Sequence, residues 1–219
     1  MERRPEPELM DSPAQVAAYA AADFAEAHDR FVALFRTRFP DFAGGRVLDL
    51  GCGPGDVTRR FAAAYPQAAI VAVDGGPNML AEAARRNRAH PAGGRITLRR
   101  CLLPRDPLPP GPWAALISNS LLHHLHDPQV LWRAVAAAAG PGTCVCIMDL
   151  RRPPDDEAVA RLVAQYAADA PPVLQADFRA SLRAAFEPAE VEAQLAAAGL
   201  DWLGVEVVSD RHLLVSGRR

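Results

Sequence analysis

The sequence is poor in cysteine, and its four cysteines follow no disulfide or metal pattern. Cys52, Cys101, Cys144 and Cys146 lack the spacing of a zinc knuckle. A chain of 219 residues with 50% hydrophobic residues can bury a full core without a disulfide framework. We therefore expect reduced, mostly buried thiols and one domain that spans residues 1–219.

Neither sign of charge dominates, and no long apolar run is present. With 24 basic and 26 acidic residues the formal net charge is −2, so the electrostatic footprint of a nucleic-acid binder is missing. No apolar stretch is long enough to cross a bilayer, and the polar residues 1–8 contain no signal-type apolar segment. We expect a soluble, cytoplasmic protein without nucleic-acid or membrane partners, and leave its oligomeric state, a homodimer included, open.

Strand-like and helix-like patterns alternate between residues 46 and 150, which favours a doubly wound α/β sheet. The last two strand patterns are joined only by Ser209-Asp210-Arg211, and so short a link implies an antiparallel hairpin. We predict a Rossmann-like, seven-stranded, mostly parallel sheet with a C-terminal antiparallel hairpin. The expected strands are 46–50, 69–73, 95–100, 113–119, 143–149, 200–208 and 212–216.

The remaining segments are expected to surround this sheet. Residues 1–11 are predicted to be a loose tail, and 12–38 a helical cap that, if it is two helices, breaks near His28-Asp29. Residues 151–186 show no strand pattern and are interpreted as a helical insertion or lid. Residues 187–219 hold the final helix and the hairpin.

One stretch indicates a ligand site: Val47-Leu48-Asp49-Leu50-Gly51-Cys52-Gly53-Pro54-Gly55-Asp56. A strand is followed by a glycine turn and then by a helix, and glycines allow backbone N–H groups to approach a ligand closely. The spacing is G-x-G-x-G, whereas a dinucleotide fingerprint has G-x-G-x-x-G. The pattern D-x-G-x-G-x-G resembles motif I of the class I S-adenosylmethionine-dependent methyltransferases.

That resemblance implies S-adenosylmethionine as cofactor and a set of residues around it. Asp49 is placed for the amino group of the cofactor, Asp74 for the ribose hydroxyls, and Met79 for the adenine. Relatives carry an acid after the third strand, where this chain has Arg100-Cys101-Leu102. The predicted cofactor-binding residues are Asp49, Gly51, Cys52, Gly53, Gly55, Asp74, Gly75, Met79, Cys101, Leu102 and Asn119.

A histidine cluster follows the fourth predicted strand, within Ser118–His126. It resembles the H-H-L motif of small-molecule methyltransferases and not the N/D-P-P-Y motif used on amide or nucleobase nitrogens. His123 and His124 are the candidate catalytic residues, as a general base for the acceptor. A metal site built from the cluster and Asp127 is not expected, because neighbouring residues on a tight loop point in different directions. A purely structural role for the histidines remains open.

The acceptor pocket is expected between the helical cap and residues 151–186. Candidate substrate contacts are Tyr19, His123, Tyr166, Phe178 and Arg179. We predict methyl transfer to a small molecule, mainly by proximity and orientation. A non-catalytic S-adenosylmethionine-binding subunit, an enzyme that uses this cofactor for other chemistry, and a nucleotide-dependent oxidoreductase are the alternatives.

Overall fold

The computed structural model describes residues 1–219 and contains a seven-stranded sheet in the order β3-β2-β1-β4-β5-β7-β6. The strands are β1 (Gly45–Leu50), β2 (Ala68–Asp74), β3 (Ile96–Arg100), β4 (Ala115–Asn119), β5 (Cys144–Leu150), β6 (Gly204–Val207) and β7 (His212–Arg218). The helices are α1 (Pro13–Ala21), α2 (Ala25–Arg38), α3 (Asp56–Ala64), α4 (Pro77–Arg88), α5 (Gln129–Ala138), α6 (Asp156–Tyr166), α7 (Pro172–Ala184) and α8 (Pro188–Ala197).

The first five strands are parallel, and β7 runs antiparallel to both β5 and β6. The predicted mixed sheet with its C-terminal hairpin is thereby confirmed. The strand β6 is shorter than the expected 200–208 because Gly199, at φ +66°, ends α8 and the chain then makes a turn in which Leu203 N–H donates to Leu200 O.

Alternate residues of the central strands enter two separate cores, as the period of two in a strand requires. Leu48 and Leu116 pack in a core with α5 and α8, whereas Val47 and Ile117 pack in a core with α2 and α3. All four side chains are fully buried. Helices therefore cover both faces of the sheet, and its carboxyl edge is left for a site.

Phe35 of α2 lies at the centre of an aromatic cluster in the second core. It is fully buried, and its ring centroid lies 4.8 Å from that of Phe61 and 5.5 Å from that of Tyr65. We expect Phe35→Ala to lower the free energy of unfolding by about 3–5 kcal/mol, since the cavity cannot be refilled. Thr37→Ala, at an exposed position of the same helix, should change it by about 0.5 kcal/mol or less. Urea unfolding measures both, and equal losses would contradict this packing.

The helical cap consists of two helices, but the break near His28-Asp29 was wrongly predicted. The chain breaks at residues 22–24, where the Asp23 carboxylate accepts a hydrogen bond from Ala25 N–H at 2.9 Å. His28 lies inside α2 and its Nδ1 is 2.6 Å from Asp56 Oδ2, so that the two side chains join α2 to the start of α3.

Residues 1–11, called the N-terminal segment below, are not a loose tail. The Arg3 guanidinium donates to the carbonyls of Ala184 and Leu125, at 2.6 and 2.9 Å, and stacks on the Phe186 ring. At the other end Asp11 Oδ1 accepts from Asn78 N–H at 2.9 Å, at the start of α4. The earlier expectation failed because these partners are distant in sequence.

Residues 151–186 form α6 and α7, which share a small apolar core of their own that includes Val159, Val163 and Leu182. The two helices pack on the carboxyl side of β5 through Leu150. Across the whole chain, no helix combines the length and the apolar character that crossing a membrane would need.

Candidate functional site

The turn between β1 and α3 is built from glycines in the left-handed region. Gly51, Gly53 and Gly55 have φ values of +71°, +51° and +77°. A Cβ built on Gly53 would meet no protein atom within 4 Å, so this residue borders open space, whereas one on Gly51 would lie 2.9 Å from Leu121. The backbone of Gly53 is therefore exposed to a ligand while the turn around it is tightly packed.

Asp74, at the end of β2, closes this turn. Its Oδ2 accepts from Gly53 N–H at 2.8 Å, and its Oδ1 accepts from Gly76 N–H at 2.7 Å. Burial raises the pKa of Asp74, against the lowering effect of these two hydrogen bonds. A carboxylate has about four lone-pair sites, so acceptor capacity is left for a diol.

Asp49 lies beneath the turn and is 2% exposed. Its Oδ2 accepts a hydrogen bond from Thr58 Oγ1 at 2.5 Å. Burial raises the pKa of Asp49 to about 7, an effect to which the neighbouring Asp74 adds. A cation bound beside it would favour the ionised carboxylate.

Asp149, the acid near the end of β5, holds the loop after β4 in place through two contacts. Asp149 Oδ2 accepts from Leu122 N–H at 2.7 Å, and Asp149 Oδ1 lies 2.5 Å from His123 Nδ1. Burial lowers the pKa of His123, but the charges of Asp149 and Glu6 outweigh it and leave that pKa raised. His123 is 3% exposed, so its ring has one orientation.

Glu6 of the N-terminal segment reaches the same loop. Its Oε1 lies 3.6 Å from His123 Nε2 and 3.2 Å from His124 Nδ1, and it accepts from Ser181 Oγ at 3.0 Å. Burial, with a contribution from His123, lowers the pKa of His124 well below its ordinary value. His124 is therefore a neutral imidazole, and its Nδ1 has no hydrogen-bond partner.

Asp49, Gly53, Asp74, His123 and His124 border one cavity of about 800 Å³ at the carboxyl edge of the sheet, whereas Glu6 and Asp149 lie behind its lining. Two of the predicted site residues, Gly55 and Arg179, lie outside its lining. The others line it: Tyr19, Asp49, Gly51, Cys52, Gly53, Asp74, Gly75, Met79, Cys101, Leu102, Asn119, His123, His124, Tyr166 and Phe178. Their individual roles stay predictions.

Several known proteins are similar in sequence or structure to the part of the chain that surrounds this cavity. Residues 47–142 match a family model described as a methyltransferase domain. This part of the chain is thus similar to methyltransferase domains. The match agrees with the predicted family and its S-adenosylmethionine cofactor, and the matched residues run from β1 to the turn before β5.

Similar proteins with curated names match this chain over part of their length. A trans-aconitate 2-methyltransferase of Methylobacterium nodulans is 36% identical over 124 residues, which are 57% of this chain and 45% of that protein. A ubiquinone/menaquinone biosynthesis C-methyltransferase of Syntrophotalea carbinolica is 34% identical over 109 residues, 50% of this chain and 45% of that protein. The chain thus matches about half the length of these relatives.

Solved structures show the same fold at low sequence identity. A methyltransferase from Aquifex aeolicus described as dependent on S-adenosylmethionine superposes with a TM-score of 0.66 at 16% identity, covering 94% of this chain and 98% of that one. The plantazolicin methyltransferase BpumL, in complex with S-adenosylhomocysteine, has a TM-score of 0.71 at 12% identity, covering 94% and 91%.

The residues around the Gly51–Gly55 turn fit the predicted cofactor, S-adenosylmethionine. The backbone of Gly53 borders open cavity space, Asp74 retains acceptor capacity beside it, and the buried carboxylate of Asp49 lies below. Asp49, Gly53 and Asp74 would hold the amino-acid end and the ribose, at the junction of β1 and β4 where open α/β sheets bind ligands.

Two groups at the site were undervalued by sequence reasoning. The position of Asp149 could have been predicted from the sequence, because this residue nearly ends a strand adjacent to β4 and so reaches the same sheet edge as His123. The contact of Glu6 could not have been predicted, since nothing in a polar, proline-containing N-terminus indicates which loop it will contact.

The raised pKa of Asp49 leads to a pH prediction for cofactor binding. Below pH 7 the carboxyl is mostly protonated, so binding a cationic amino group must displace a proton. We expect S-adenosylmethionine affinity to rise about tenfold per pH unit up to pH 7 and then to level off. Calorimetric titrations at pH 5.5 to 7.5, in buffers of different ionisation enthalpy, measure affinity and proton release.

The raised pKa of Asp49 affects the stability of the protein without cofactor in the opposite direction, since stability falls over the pH range in which affinity rises. Because folding raises the pKa of Asp49 above its unfolded value of 3.8, its contribution to stability is present below pH 3.8 and lost as the pH rises towards 7. Asp49→Asn should remove this loss and also flatten the pH dependence of binding. Pronounced pH dependence of binding in Asp49→Asn would contradict the assignment to Asp49.

Proposed function

We propose that this protein transfers the methyl group of S-adenosylmethionine to a small-molecule acceptor. The observation that carries the proposal is the extent of the cavity: the space at Gly53 and Asp74 continues, within the same 800 Å³, to a wall formed by Tyr19, Phe24 and Phe178. A volume of that size is typical of sites for small ligands. One cavity can therefore hold a cofactor and an acceptor side by side.

Positioning supplies most of the expected rate acceleration. Bound S-adenosylmethionine presents a methyl group already activated by its sulfonium, and the displacement needs in-line approach of the acceptor. The residues of this chain orient the cofactor through the Gly51–Gly55 turn and Asp74. The N-terminal segment and α7 cover the cavity and exclude water.

The general-base role of His123 or His124 remains part of the proposal only for an opened form. His123 Nδ1 is occupied by Asp149, and Glu6 stands 3.6 Å from Nε2, the nitrogen that would take a proton. The side chain of His123 can reach an acceptor only when Glu6 moves away. An acceptor that carries no proton at its reactive atom needs no base.

The charges of the cavity wall bear on the kind of acceptor. The wall of the acceptor side carries the carboxylates of Asp23, Glu26, Asp169 and Asp177, whereas its one guanidinium, that of Arg211, stacks on the Tyr166 ring at 3.3 Å. A polycarboxylate would be repelled by such a wall. We therefore propose a neutral or cationic acceptor with an apolar body, in contrast to the aconitate named for several relatives.

Two measurements test this function in sequence. Calorimetry should show that S-adenosylmethionine and S-adenosylhomocysteine bind with one site per chain. Transfer of labelled methyl groups should then be measured with a neutral phenol series, an amine series and trans-aconitate. We expect turnover in one of the first two series. Transfer to trans-aconitate alone would contradict the acceptor class, and tight cofactor binding without transfer to any metabolite pool would favour a binding subunit.

A further inference from the structure

Three nitrogen and oxygen atoms with lone pairs converge between the N-terminal segment and the loop after β4. They are Glu6 Oε1, His123 Nε2 and His124 Nδ1, all within 4.8 Å of one another. The other ring nitrogen of His123, Nδ1, lies 2.5 Å from Asp149 Oδ1. His124 Nδ1 lies 3.2 Å from Glu6 Oε1 and has no hydrogen-bond partner.

The contact with Asp149 orients the His123 ring so that its Nε2 faces Glu6. A carboxylate oxygen beside two imidazole nitrogens is held there either by a proton or by a metal ion between them. Metal-bound histidines almost always donate their second ring N–H to a carboxylate or backbone carbonyl, and His123 has such a partner in Asp149. Ser181 Oγ, 3.0 Å from Glu6 Oε1, orients the third group.

The spacing of the three atoms fits a tetrahedral ion. Zinc binds nitrogen and carboxylate oxygen at about 2.0–2.2 Å, so tetrahedral neighbours are about 3.3–3.5 Å apart. Glu6 Oε1 lies 3.2 Å from His124 Nδ1 and 3.6 Å from His123 Nε2. An octahedral ion such as Mg²⁺ would require separations of about 3.0 Å and prefers oxygen ligands.

We propose that Glu6, His123 and His124 form a zinc site that joins the N-terminal segment to the loop after β4. The two histidines are adjacent in a short 3-10 turn, Leu122–His124, which presents both rings to one point with centroids 4.2 Å apart. From the sequence no metal site was expected, because neighbouring residues on a tight loop point in different directions and no further ligand was evident. The third ligand comes instead from Glu6, near the start of the chain.

Competition with a chromophoric chelator measures zinc affinity without cofactor or acceptor, so its outcome is independent of the proposed function. We expect one zinc ion per chain, and at least about 100-fold weaker binding in Glu6→Gln and in His124→Ala. Glu6→Gln retains the shape of the side chain and an acceptor for Ser181. His90→Ala, which removes a histidine outside the cluster whose Nδ1 accepts from Ala92 N–H, is the control and should bind zinc as tightly as the parent.

Two further measurements distinguish a metal site from a cluster of side chains that binds no metal. Cobalt in place of zinc should give the intense visible absorption of a tetrahedral complex, lost in His124→Ala. Zinc should raise the melting temperature of the parent but not that of Glu6→Gln. If the parent binds zinc no more tightly than Glu6→Gln, a proton holds these three groups together and the proposal is overturned.

Discussion

Replacing Asp74 by alanine is expected to weaken S-adenosylmethionine binding by about 100-fold or more. Hydrogen bonds to a charged group contribute about 1.5–3 kcal/mol each, and two ribose hydroxyls would lose their acceptor. The substitution also frees Gly53 N–H and Gly76 N–H, which Asp74 holds at 2.8 and 2.7 Å, so the glycine turn loses its anchor. Calorimetric titration with S-adenosylmethionine and S-adenosylhomocysteine measures the change.

Two variants show whether the effect belongs to this carboxylate. Asp74→Asn keeps one oxygen acceptor and should fall between the parent and Asp74→Ala. Asp201→Ala removes an exposed acid and should leave affinity unchanged. If Asp74→Ala binds either ligand as tightly as the parent, Asp74 is not the ribose acid.

Gly53→Ala should weaken cofactor binding about 10- to 100-fold, because its methyl group would enter the cavity. No protein atom lies within 4 Å of a Cβ at this position, so the added group meets the ligand and not the fold. Overpacking a well-filled site costs about 1–3 kcal/mol. S-adenosylhomocysteine titration measures the loss, and thermal unfolding measures the strain at φ +51°.

Gly142 provides a matched control for backbone strain. It also has a positive φ, +82°, and open space where a Cβ would be, but it lies outside the cavity lining. Gly142→Ala and Gly53→Ala should each lower the free energy of unfolding by about 1–2 kcal/mol. Only Gly53→Ala should also lose affinity. Equal affinities in the two variants would place the ligand elsewhere.

The order of strands and helices could be predicted because their signals are local. A run such as Ala69–Val73 is continuous and apolar, which is typical of a parallel strand covered on both faces, and it lies within β2. The break at residues 22–24 was missed because the short Asp23 cap competes with a helical periodicity that continues on both sides. Periodicity locates a helical face and does not determine where one helix ends.

The residues of the site also fall into two groups. Some are recognised from a pattern that is local in sequence, and others come together only through long-range contacts. The Gly51–Gly55 turn and Asp74 belong to a pattern of about 20 residues, so spacing alone could place them together. The contact of Glu6 with His124 joins chain positions far apart, and only the folded packing of α7 against the loop after β4 creates it. Residue types near the start of the chain give no indication of such a partner.

The N-terminal segment holds both ends of the cavity at once, through Asp11 on α4 and Glu6 on the loop after β4. On the proposed function, we expect release of cofactor or product to require a motion that breaks both attachments. Turnover would then be limited by the opening of this segment and not by bond formation, as in enzymes whose lids control product release. Shortening the chain by its first eleven residues would make exchange faster and retention of both ligands poorer.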